Sequence, residues 1–291
     1  MRLNPFDTSK IDVRAGNQGS RRPGRRAGGV GCGAIVIALI GALVFGIDPS
    51  QTIAVLGGLD QQGAPTAASA PSSDETEQQL CSANAYAAEA CNALTNLNET
   101  WEPEFQRAGI PFRQPFLRFV GDERIETGGC GTTTSAVGPF YCPADFGIYL
   151  DVRFFDQLAQ MSGTRGDFAR IYVMAHEYAH HVQNLTGLAD QVRTAQRRNP
   201  QAANRLNVAM ELHADCYAGV WAGKNASRIE PGDIEEGLRA ASSVGDDTIA
   251  SQSGRRANAE SFTHGTSQQR IDALKRGLQT ADQGACDVYF E

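Results

Sequence analysis

The sequence predicts an α+β domain, a small sheet followed by a mostly helical body, behind one N-terminal transmembrane helix. Three observations carry this reading. Residues 27–47 form a 21-residue run without charge, short hydrophobic runs of period 2 fall between residues 115 and 151, and helical periodicity begins at Asp167. The chain has 291 residues, 41% of them hydrophobic, which is enough for a real core.

The elements follow in order. Residues 1–26 carry seven Lys/Arg against two Asp/Glu and read as a basic, disordered cytoplasmic tip; the whole chain is −7, so the remainder is −12. A basic tip on an acidic body argues against a nucleic-acid partner, because phosphate binding needs a positive face on the folded domain. The run "AGGVGCGAIVIALIGALVFGI" (27–47) can span a bilayer core of about 30 Å at about 1.5 Å per residue. "RRPGRR" precedes it, which predicts an inside N-terminus and an extracytoplasmic body, periplasmic or at the cell surface. A cleaved signal peptide, a lipoprotein anchor and a buried core helix are the alternatives. The run is long for a signal peptide, Cys32 sits too early for a lipid anchor, and the start is Gly-rich with polar flanks.

Residues 48–79 read as a flexible linker, so the folded body is expected over 80–291. A helix is predicted over 80–108, with Pro103 its only breaker. "PFLRFVG" (115–121) and part of "GPFYCPADFGIYLD" (138–151) read as strands. Phe168, Ile171, Tyr172, Ala175, Ala179 and Val182 mark an amphipathic helix that Asp167 is placed to cap. Asn199–Pro200 opens another long helix that Gly223 could close. Further helices are expected from Pro231 and Asp246, and Thr266 with Gln269 forms a capping box for a last one ending near Gly277. No internal repeat is present.

Six cysteines lie outside the apolar run: Cys81, Cys91, Cys130, Cys142, Cys216 and Cys286. An even number outside the cytoplasm reads as disulfides, with 15 possible pairings; reduced structural thiols are the alternative. Nearest-neighbour pairing gives Cys81–Cys91 and Cys130–Cys142 and leaves Cys216 for Cys286.

The chemistry centres on "VMAHEYAHHVQN" (173–184). His176 and His180 are four residues apart, so their rings lie about 40° apart on one helix face, one turn separated. Two imidazoles so placed can share one zinc ion, and Glu177, about 100° around, can flank that ion as a general base: the H-E-x-x-H pattern of zinc hydrolases. A catalytic zinc needs a third ligand, and "AMELHADCYAG" (209–219) offers Glu211. Asp215, one turn on, can accept the second ring N–H of a zinc histidine. Read alone, these acids could be a solvated helix face; the upstream pattern favours the metal. His181 and His213 point away from their neighbours and read as structural. His264, in "FTHGTSQQR" (262–270) with Arg270 in the first turn of a helix, suits oxyanion stabilisation or simply a turn contact.

Together "AHEYAHHVQN", "ELHADCYAG", "GPFYCPADFGIYLD" and "FTHGTSQQR" resemble the bacterial neutral zinc metallopeptidase family, from the basic tip to the C-terminus. The order H-E-x-x-H…E-x-x-x-D resembles the gluzincin clan. "THGTSQQRIDAL" is similar in spacing to the Thr-His-(five)-Arg-Ile stretch of membrane-associated quality-control metalloproteases, where Pro-Pro follows the histidine instead of Gly265 and Thr266. The resemblance implies a zincin-like domain anchored by one N-terminal helix and a zinc peptidase acting on peptide or protein substrates. It places one zinc per chain on His176, His180 and Glu211, with Glu177 as base. "GIYLD" (147–151) is a candidate edge strand for pairing with substrate, or equally an internal strand. Two other classes share these residues: a non-catalytic envelope protein whose zinc holds the fold or a partner, and a non-peptidase zinc hydrolase.

Overall fold

The computed structural model of the chain describes residues 1–16, 76–121 and 124–291. The apolar run 27–47 and nearly all of the linker lie outside them. Among the described residues no helix is long and apolar enough to cross a membrane.

The first residues do not form a disordered tip. Strand β1 (Asp12–Ala15) is the outer strand of a four-stranded sheet, paired in parallel with β2 (Phe116–Phe119). Ile11 and Val13 are buried, Asn98 donates to the Lys10 carbonyl at 2.8 Å, and the Met1 ammonium lies 2.9 Å from carboxylate oxygens of both Asp167 and Asp233. The composition of residues 1–26 misled because Ile11 and Val13 alternate within a polar stretch too short to register as a strand. The folded body therefore includes residues 1–16 and does not begin at Leu80.

Past the undescribed segment come helix α1 (Glu77–Cys81) and helix α2 (Ala85–Ala108). The single helix expected here is broken because Asn84 caps a fresh start, its side chain accepting from the Ala87 N–H at 2.9 Å. Pro103 lies on the exposed face and α2 runs through it. A small antiparallel hairpin, β3 (Ile125–Glu126) with β4 (Thr132–Thr133), leads to β5 (Phe140–Cys142) and β6 (Gly147–Leu150). The four-stranded sheet has the order β1-β2-β6-β5, with only β5 antiparallel. Alternation divides its faces: Leu117, Ile148 and Leu150 join the main helical core, while Phe116, Phe140 and Tyr149 pack under Ile125 and Val137. "GIYLD" is thus an interior strand, and β5 is the edge. Of the two readings the sequence leaves open, the interior one holds: the turn at 143–146 splits the apolar stretch into two paired strands, of which β5 is the outer.

Helix α3 (Phe154–Ser162) precedes α4 (Asp167–Leu185), which runs through the core. Gly166, not Asp167, occupies the cap position of α4; the Asp167 carboxylate takes the Met1 ammonium instead. Gly187 in the left-handed conformation turns the chain into α5 (Leu188–Arg198), a helix with no separate signal in the sequence reading. A 3-10 turn at Pro200–Ala202 opens α6 (Ala203–Lys224), followed by α7 (Asp233–Ser243), α8 (Asp246–Gln252) and α9 (Ser267–Thr280). The Thr266–Gln269 capping box is formed, and α9 runs one turn-fraction past Gly277 to Thr280.

Helices α6 and α9 lie unusually close. A Cβ on Gly277 would fall 1.8 Å from the Cys216 carbonyl oxygen, and one on Gly219 2.2 Å from that of Leu274. Only glycine permits this approach, which carries Arg270 of α9 onto Asp215 of α6. The disulfide Cys216–Cys286 fastens the chain end to the same helix, and Cys81–Cys91 and Cys130–Cys142 complete the three bridges of nearest-neighbour pairing. Because Cys216 and Cys286 are 70 residues apart, their link removes about 4 kcal/mol of chain entropy from the unfolded state. Replacing both by serine is expected to cost about that much, read as an earlier urea midpoint at unchanged zinc content; an unchanged midpoint would show the bridge to be idle.

Candidate metal centre

The centre is built by α4 and α6 crossing under the edge strand. His176 and His180 project from one face of α4, as the four-residue spacing requires. Glu211 meets them from α6: its Oε2 lies 3.2 Å from His176 Nε2 and its Oε1 3.5 Å from His180 Nε2. All three ligand atoms fall within 4.8 Å of one another. Donors each about 2.0–2.1 Å from a tetrahedral ion stand about 3.3–3.4 Å apart, so the set fits one zinc ion. In a second acidic group, Asp167, Asp233 and Glu236, the two aspartates already hold the Met1 ammonium.

What aims the rings is a buried network behind them. Asp215, fully buried, lies 2.9 Å from His176 Nδ1; it also accepts from the Tyr172 hydroxyl at 2.6 Å and from Arg270 at 2.8 and 3.0 Å. Burial alone would raise the Asp215 pKa, but Arg270 and His176 outweigh it and hold the carboxyl below its ordinary range. It is therefore ionised, His176 Nδ1 carries the proton donated to it, and Nε2 is left to face Glu211 and the candidate metal position. On His180 the matching hold is Gln183 Oε1, 2.8 Å from Nδ1. Gln183 in turn donates to the Met210 carbonyl and meets His213 Nδ1 at 3.1 Å. His213 thus supports a support, and His181 sits between the Tyr141 hydroxyl and the Arg113 carbonyl; neither faces the three ligands.

Glu177 is 9% exposed and ligates nothing in this arrangement. Burial pushes its pKa up to about 7, Glu211 adds to this, and His176 with a backbone contact from Tyr141 of β5 opposes it. Among the described residues, an outer strand of the sheet therefore runs beside this carboxylate.

His264 lines the same cavity as the three ligands. Its Nδ1 lies 3.1 Å from Asp246 Oδ1, while Asp246 Oδ2 accepts the backbone N–H groups of Thr263, His264 and Gly265 at 2.7–3.1 Å. Its Nε2 is buried without a partner. Arg270 also borders the cavity but is spent on Asp215 and Tyr172, so it does not form the oxyanion pair with His264 that the sequence suggested. Asp246, Tyr172 and Gln183 were missed in the sequence. Tyr172 and Gln183 carried a faint signal, four residues before His176 and three after His180; Asp246, 18 residues from His264, carried none.

In the metal-free site burial opposes protonation of His176, but Asp215 and Glu211 outweigh it and push the imidazole up to about 10. The His180 pKa is lowered, chiefly by burial. Zinc requires neutral imidazoles, so at pH 8–9 its binding must expel about one proton, from His176. Titration calorimetry in two buffers of different ionisation enthalpy is expected to show that release, with affinity weakening about tenfold per pH unit on acidification. A pH-independent affinity would contradict it.

Two imidazoles and a carboxylate around one point, with a second glutamate beside them, make a candidate metal site of the metallopeptidase kind. The chain belongs to the family described as "Putative neutral zinc metallopeptidase", whose model matches residues 5–289. It is 45% identical over 200 residues to the uncharacterized protein YpfJ of Escherichia coli K12, covering 67% of this chain and 69% of that one. It is 36% identical over 264 residues to the uncharacterized protein Rv2575 of Mycobacterium tuberculosis, covering 85% of each. No solved structure matches the chain.

Proposed function

We propose that the protein is a zinc-dependent peptidase, with one zinc held by His176, His180 and Glu211 and with Glu177 as general base. The observation that carries this reading is the coexistence of a complete ligand set with a buried carboxylate beside it that the ligand set does not use. Zinc bound there would supply Lewis acidity toward the scissile carbonyl and would acidify a water. Glu177 takes the proton of the attacking water and passes it to the leaving amine, a role suited to a carboxyl whose pKa is raised toward neutrality. His264 lines the cavity with its Nδ1 against Asp246 and its Nε2 unpartnered, and stabilises the oxyanion as it forms. β5, an outer strand of the sheet among the described residues, offers an extended peptide an edge to pair with. Three disulfides favour an oxidising compartment for this body.

The test is cleavage of a broad peptide library by the zinc-loaded chain, with chelator and with zinc restored. Cutting that stops with chelator and returns with zinc is the expected result. His264→Ala is expected to lower kcat about 10²-fold at unchanged zinc content, the size seen when one oxyanion donor is removed. No cutting under any condition would favour a zinc site that holds structure or a partner.

A further inference from the structure

Next to the three ligands the structure opens a cavity of about 290 Å³. Its wall toward α3 and α8 is made by Val137, Phe154, Met161, Val173 and Ile249; across the ligands it continues to Val192 of α5. Of the charged side chains that reach the cavity, Arg270 is paired with Asp215 and Arg193 with Asp190, Glu211, His176 and His180 form the candidate ligand set, and Glu177 and His264 stand beside that set. The wall formed by Val137, Phe154, Met161, Val173 and Ile249 carries no charged side chain of its own, and an unpaired charge taken from water against it is strongly disfavoured. A leucine or phenylalanine side chain loses nothing there and gains burial.

We propose, on the basis of the peptidase reading above, that this cavity takes a large apolar side chain adjoining the scissile bond, so that the substrates are extended peptides exposing leucine, phenylalanine or methionine. The wall sorts ligands by side-chain chemistry whether or not a bond is cut. One methylene in a hydrophobic pocket is worth about 10–200-fold, so exchanging leucine for aspartate or lysine should move affinity by at least about that much.

The probes are hydroxamate-capped dipeptides that differ only at the first residue, Leu, Phe, Asp or Lys, titrated into the zinc-loaded full chain. The Leu and Phe forms are expected to bind at least about 30-fold tighter than the Asp and Lys forms. Sites cut in a denatured protein digest should carry the same bias. Met161 is half-buried at the wall, and Met161→Arg is expected to narrow the Leu-over-Asp gap at least about tenfold at unchanged zinc content. Equal affinities across the four probes, or a preference for a charged one, overturn the proposal. Should the binding bias stand while no peptide is cleaved, the apolar site is upheld and the peptidase reading is the one that fails.

Discussion

Glu177→Gln is expected to abolish nearly all peptide cleavage while leaving zinc content and folding close to the parent. The substitution keeps size and hydrogen-bonding reach, and Glu177 stands outside the ligand set. An amide cannot accept the water's proton, so the loss should be about 10²–10⁴-fold in kcat. In the parent the same group sets an acid limb. The base works ionised, so activity falls as pH drops through its pKa. Burial puts that pKa up to about 7 in the metal-free chain, and a neighbouring cation pulls a carboxyl down, so the limb should lie below about 7. Zinc content and cleavage measured on the same samples decide the matter: a variant that cuts as fast as the parent removes Glu177 from the chemistry.

Arg270→Met is expected to produce the largest loss of stability. Arg270 and Asp215 are 3% and 0% exposed and joined by two short contacts, and Tyr172 and His176 bond to the same carboxylate. Removing the arginine strands a buried anion, which typically costs about 3–5 kcal/mol. For a body of roughly 230 residues that is a fall in Tm of about 10 °C. Zinc affinity should fall with it, about 10–100-fold, because Asp215 no longer aims His176 with the same constraint. Adding Asp215→Asn to Arg270→Met should recover part of the stability, since the stranded charge is gone, though not the zinc affinity. If the double variant were as unstable as the two singles summed, the account of a stranded charge would be wrong.

The site was far more legible in the sequence than the frame that holds it. His176, Glu177 and His180 fall on a short helical spacing, and Glu211 with Asp215 repeats it, so local geometry alone brings each set to one face. The partners that aim them are distant in sequence: Arg270 lies 55 residues beyond Asp215, and Asp246 reaches His264 across a turn. No periodicity encodes such a meeting. The disulfides followed proximity along the chain, whereas the sheet did not. β1 and β2 are parallel neighbours separated by a hundred residues, and the strand order depends on that pairing. Whether "GIYLD" is an edge or an interior strand stays open in the sequence for the same reason, since alternation shows a strand's faces and says nothing about its neighbours.

The docking of β1 carries a consequence for membrane topology that is a matter of parity. Its Val13 N–H donates to Glu77 Oε1 at 3.2 Å, so the chain leaves the domain and re-enters it at one corner. Each crossing of a bilayer exchanges compartments, and an odd number between residues 16 and 76 would leave Met1 and the metal centre on opposite sides. With β1 seated in the sheet, Met1 and the metal centre lie on one side. The 21 residues of 27–47 suffice for only one crossing of about 30 Å. A single span through that run and a docked β1 are therefore mutually exclusive states of the chain, and a chain anchored in that way would have to present its sheet without its first strand.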